Sequence, residues 1–108
     1  MIQRRDIKKW CDVVASEFRP EQIIIFGSYA NGTPTEDSDV DVLVVMPLAR
    51  GDRDVRQAAA IRRRVPAPFP MDVIVRSPQQ IERRLALGDG FLADVLRYGR
   101  KMYEGKHA

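Results

Sequence analysis

Apolar residues at Ile7, Trp10, Cys11, Val14, Ala15 and Phe18 recur every three or four positions, so residues 3–18 are expected to form a helix with one apolar stripe. Arg4, Arg5, Lys8, Lys9 and Asp12 fall off that stripe, and Pro20 stops it. Trp10 and Cys11 lie on the stripe and read as core residues. The spacing then changes. Gln22-Ile23-Ile24-Ile25-Phe26 is an unbroken β-prone run, the pattern of an interior strand covered on both faces. Gly27-Ser28 ends it, Ser28–Asn31 suits one helical turn, and Gly32-Thr33-Pro34 closes that turn. Thr35-Glu36-Asp37-Ser38 is a polar loop, Val40–Val45 a second strand, and Pro47 its stop.

The second half alternates in the same way. After Arg50-Gly51-Asp52, a helix is expected from Arg53 to Val65, with Val55, Ala58, Ala59 and Val65 as its apolar face. Asp52 or Asp54 near its start and Arg62-Arg63-Arg64 near its end suit the helix dipole. Three consecutive arginines fan over about 200° of a helix, so they read as a solvated end rather than one binding patch. Pro66-Ala67-Pro68-Phe69-Pro70 is a stiff connector, and Met71–Val75 a third strand that contains Asp72. Ser77, Pro78 and Gln80 have the spacing of a capping box that opens a helix with Ile81, Leu85 and Leu87 as its apolar positions. A last helix, Phe91–Tyr98, carries Phe91, Leu92, Val95 and Leu96; Arg100–Glu104 reads as an edge strand, with Tyr103 covering the sheet. Interleaved helices and strands predict an α/β (α+β) fold, a small mixed β-sheet with flanking helices.

Composition narrows this only a little. The 108 residues suit one compact domain, and a hydrophobic share of 44% is that of a globular protein. A lone cysteine excludes an internal disulfide and disfavours a cysteine-based zinc site. The start lacks a signal-peptide pattern, and no apolar run approaches the ~20 residues of a membrane span, so no membrane association and a cytoplasmic location are expected. A net charge of +3 permits attraction to nucleic acid or an acidic partner without identifying either.

The chemistry concentrates between Ile23 and Val45. Residues i and i+2 of a strand share a face about 6.5–7 Å apart, so Asp39 and Asp41 should project together while Val40 and Val42 face the core. Glu36, Asp37, Asp39 and Asp41 carry no basic residue among them, and such a cluster calls for a cation or for solvent. Asp72 interrupts an apolar strand. If that strand pairs beside Val40–Val45, Asp72 joins the other two, and three carboxylates can hold two Mg²⁺ ions about 3.5–4 Å apart for in-line phosphoryl transfer. Gly27 lets phosphate oxygens approach the backbone, the amides after it can bind an anion, and the Ser28 hydroxyl can donate to it.

Gly27-Ser28, ten intervening residues and Asp39-Val40-Asp41 together resemble the signature of the polymerase-beta-like nucleotidyltransferase superfamily. Gly32, Ser38 and Asp72 match it as well, and the closing Tyr98-Gly99-Arg100-Lys101-Met102-Tyr103-Glu104 is similar to the minimal nucleotidyltransferases, the MNT proteins. The resemblance implies a nucleotidyltransferase fold, with Asp39 and Asp41 as metal ligands and Asp72 as a third ligand or general base. It implies that Gly27 and Ser28 hold the triphosphate, with Ser38 alongside. Asn31 stands where a basic residue is common, so it brings hydrogen bonds without charge, and the departure implies either weaker triphosphate affinity or a cation supplied by an arginine elsewhere. Many minimal members are antitoxins of HEPN-domain toxins, and some transfer AMP from ATP to a tyrosine of the toxin.

Larger members add a second domain that binds the acceptor substrate or the nucleobase. Residues 1–108 are therefore expected to be a single nucleotidyltransferase domain whose acceptor, or the rest of whose pocket, comes from a partner protein. The leading reading is Mg²⁺-dependent transfer of AMP from ATP to a hydroxyl of a HEPN-type toxin. The alternatives are a non-catalytic antitoxin acting by complex formation and, third, a nucleic-acid-binding accessory protein that uses its arginines.

Overall fold

The computed structural model describes residues 1–49 and 53–105. Its elements follow in the order α1 (Arg4–Phe18), β1 (Gln22–Phe26), α2 (Ser28–Asn31), β2 (Val40–Val45), α3 (Asp54–Arg64), β3 (Met71–Arg76), α4 (Pro78–Ala86), α5 (Gly90–Tyr98) and β4 (Arg100–Glu104). The Arg50-Gly51-Asp52 segment expected before α3 lies outside the described residues.

The sheet is mixed, in the order β3-β2-β1-β4. β1 runs antiparallel to β2 and to β4, while β2 and β3 are parallel. A parallel neighbour needs a crossover, and α3 supplies it. Ile23, Ile25, Val42, Val44, Val73 and Val75 face one way, toward Ile7, Trp10, Cys11 and Val14 of α1 and Ala58 and Ile61 of α3. Ile24, Leu43 and Val45 face the other, toward Leu92 and Val95 of α5. Covering both faces explains the unbroken apolar runs of β1 and β2. The Trp10 indole Nε1 donates to the Val65 carbonyl at 2.8 Å and pins α1 to the end of α3. Cys11 is fully buried, and burial, with the Asp12 charge beside it, pushes its thiol up to about 12.

Three expectations need correction. Val55 is 68% exposed and does not join the apolar face of α3; Ala58 and Ile61 are its buried residues. The first turn is held instead by an ion pair, Arg76 Nη1 to Asp54 Oδ2 at 3.1 Å. The α4 helix buries no residue fully, and Leu87 is largely exposed. On α5 only Leu92 and Val95 are buried, with Phe91 and Leu96 exposed. The capping box formed as expected: Ser77 Oγ accepts from Gln80 N, and Gln80 Oε1 accepts from Ser77 N. Tyr103 packs against the α1 side of the core, and Arg62, Arg63 and Arg64 are exposed. Among the described residues no helix is long and apolar enough to cross a membrane.

Candidate active site

The parallel pairing of β2 with β3 brings the acids together. Asp41 lies opposite Asp72 in that pairing and opposite Phe26 in the pairing with β1. Alternation puts all three on the α5 side of the sheet, the face of Ile24 and Leu43. Asp39 stands just before β2 and is exposed, as is Asp72, while Asp41 is half-buried. Burial first, then the charges of Asp72 and Asp39, raise the Asp41 carboxyl above the ordinary carboxylate range.

Gly27 seals one side of this group. Its backbone sits at φ 74° and ψ −151°, a conformation nearly restricted to glycine. A methyl group built at Gly27 would overlap Asp41 Oδ2. Two independent constraints therefore demand glycine here: the turn out of β1 and the close approach of Asp41. The single-turn α2 follows, with Ala30 N and Asn31 N both donating to the Gly27 carbonyl, at 3.1 and 3.0 Å. Arg100 Nε donates to the Ala30 carbonyl at 3.2 Å, so β4 holds α2 in place.

The other expected site residues are distributed around this centre. Ser28 opens α2, and among the described residues its hydroxyl has no hydrogen-bond partner. Asn31 ends α2 and is exposed at the rim of a cavity. The Ser38 hydroxyl accepts from Thr35 N at 2.9 Å and lies 3.2 Å from Thr35 Oγ1, so it closes the turn that precedes Asp39. Among the described residues no three His, Cys, Asp or Glu side chains are already gathered to hold a metal ion. The donor set nonetheless fits a hard cation: Asp41, raised first by burial, also faces the like charges of Asp72 and Asp39, which a cation would relieve, and Mg²⁺ is commonly held by one or two carboxylates plus substrate phosphates.

Sequence reasoning missed the cavity beside this centre. It measures about 230 Å³ and is lined by Phe26, Gly27, Ala30, Asn31, Phe91, Asp94, Val95, Tyr98 and Gly99. Phe26 and Phe91 meet edge to face, with centroids 5.6 Å apart and planes at 83°. Its signal in the sequence was a second stripe on α5. Phe91, Asp94 and Tyr98 follow i, i+3, i+7 spacing next to the buried Leu92–Val95 stripe.

Residues 7–100 match the nucleotidyltransferase domain. The chain is 30% identical over 107 residues to the "Putative protein adenylyltransferase" of Methanocaldococcus jannaschii, an alignment covering 95% of this chain and 100% of that protein. The fold resembles the crystal structure of "a putative nucleotidyltransferase from Sulfolobus solfataricus" with a TM-score of 0.63. That alignment covers 93% of this chain and 78% of the other at 24% identity. With residues 7–100 matched and a relative aligned along its whole length, this chain belongs to the nucleotidyltransferase domain family.

Proposed function

We propose that this protein transfers AMP from ATP to a hydroxyl of a partner protein, and that the partner is a HEPN-domain toxin which the transfer inactivates. The observation that carries the reading is the register that sets Asp41 opposite Asp72 while Gly27 closes over Asp41. The relative from M. jannaschii, whose name specifies a protein acceptor, supports the choice of substrate.

In this reading Gly27 and Ser28 receive the phosphates, Asn31 adds hydrogen bonds, and Ser38 fixes the loop that presents Asp39 and borders the nucleotide. Asp39, Asp41 and Asp72 would hold Mg²⁺, one or two ions, which when bound neutralises phosphate charge and acidifies the attacking hydroxyl. The acceptor oxygen forms a bond to the α-phosphorus, the bond from that phosphorus to the bridging oxygen breaks, and pyrophosphate leaves. Asp72, exposed at the edge of the group, takes the hydroxyl proton.

The test uses ATP labelled at the α-phosphate, Mg²⁺ and the product of the neighbouring gene. Covalent label on the partner, absent with ATP labelled at the γ-phosphate and absent with Asp39→Ala/Asp41→Ala, is the expected result. Neutralisation of the partner that persists in the double variant without label would sink the catalytic reading in favour of an antitoxin acting by contact alone.

A further inference from the structure

The cavity beside the carboxylates has properties that packing does not explain. Phe91 and Tyr98 are 53% and 60% exposed although both are large and aromatic. Between them on the same face of α5 stands Asp94, which has no hydrogen bond or ion pair with any described residue. The Arg97 guanidinium lies 5.4 Å from the Tyr98 ring centroid and steadies that ring. Buried Ala30 and Val95 form the apolar part of the lining. An apolar lining, two exposed aromatic rings and one free acceptor make a site for a flat, partly polar ring system.

Position decides which one. Gly27 lines this cavity and also covers Asp41, so the cavity opens directly beside the phosphate-binding turn. A volume of about 230 Å³ falls below the ~300–1,000 Å³ of sites that engulf a drug-sized molecule, and it suits one fragment of a larger ligand. A nucleotide whose phosphates rest on Gly27-Ser28 has such a fragment to place.

We propose that this cavity is the nucleoside subsite: the base stacks on Phe91 and Tyr98, and the Asp94 carboxylate accepts a hydrogen bond from the nucleoside. The donor is either an exocyclic amine or a ribose hydroxyl, since both offer the same chemistry to a carboxylate. The inference rests on the nucleotide-binding reading above and adds to it the residues that hold the part of ATP beyond its phosphates.

The experiment titrates the whole protein, with Mg²⁺, against ATP and against inorganic tripolyphosphate, which carries the phosphates alone. ATP is expected to bind about tenfold more tightly, the size of one base–aromatic stack. Tyr98→Ala and Asp94→Asn, both at exposed positions, should bring ATP toward the tripolyphosphate value and leave tripolyphosphate binding unchanged. Phe91→Ala should do the same, with its melting temperature checked because Phe91 also packs on Phe26. In the wild type, inosine triphosphate lacks the amine and a 2′,3′-dideoxy ATP lacks the hydroxyls; whichever loses affinity, and is insensitive to Asp94→Asn, identifies the donor. ATP binding that all three variants leave intact overturns the subsite while the phosphate site stands. Failure of both ATP and tripolyphosphate to bind the wild type overturns both readings together.

Discussion

Replacing Gly27 by alanine tests the centre of the site, because the same residue answers for the turn and for the Asp41 carboxylate. At φ 74° and ψ −151° a residue with a side chain is strained by about 1–3 kcal/mol. The added methyl must also displace Asp41 Oδ2. Gly32 provides the control. It has a similar φ of 77°, but ψ is 20°, in the left-handed helical region, and a methyl there meets nothing within 4 Å. Gly32→Ala should cost roughly 1–2 kcal/mol in backbone strain, offset by the ~0.4–1 kcal/mol gained from a stiffer unfolded chain. For a domain of this size each kcal/mol moves the melting temperature by about 4–8 °C. Gly32→Ala should therefore melt only a few degrees below the wild type, and Gly27→Ala clearly further. Label transfer should separate them more: a carboxylate displaced by an ångström can lower turnover about 10²-fold, and only Gly27→Ala displaces one. Circular dichroism melts without metal and the α-labelled transfer assay read both quantities. Equal melting losses together with retained transfer in Gly27→Ala would refute the claim that this glycine is shaped by Asp41.

Two further outcomes follow from the same contacts. A carboxyl whose folded pKa is raised, as that of Asp41 is by burial and by Asp72 and Asp39, holds its proton better in the folded chain, so its penalty on stability is absent below the ordinary aspartate pKa and complete above the raised one. Asp41→Asn should accordingly melt higher than the wild type at pH 7 in chelator, with the gap closing as pH falls through the raised pKa and gone below about 4; a lower melting point at pH 7 would contradict this. Ser77→Ala removes the oxygen that accepts from Gln80 N at the start of α4 and should cost about 1 kcal/mol, read as a shift of the guanidinium midpoint with unchanged slope; no shift would mean the box contributes nothing.

The strands were readable because their apolar runs are long and are bounded by Gly27, Pro47 and Pro70. The alignment of Asp41 with Asp72 was readable only conditionally. It depends on which strand lies beside β2 and in what register, and a slip of one residue would turn Asp72 to the other face. The face of α3 was misjudged at Val55 because the first turn docks through the Arg76–Asp54 ion pair, a contact between residues 22 apart that no local pattern reveals. Leu87 and Leu96 looked like core for a similar reason. Periodicity marks an apolar stripe but not how much of it the sheet covers, and α5 buries only Leu92 and Val95. The cavity escaped notice because its two walls, α2 and α5, lie some sixty residues apart in the chain.

The buried thiol of Cys11 has a use unrelated to catalysis. It is the chain's single cysteine, it has no exposed surface, and its pKa is pushed up to about 12. Alkylating reagents attack the thiolate, so the native protein presents them with neither access nor nucleophile. Modification must wait for α1 to lift from the sheet, and the rate of labelling then counts those openings. The molecule thus carries a built-in reporter of how often its largest helix detaches. That reporter needs no engineered probe and leaves Asp39, Asp41 and Asp72 untouched.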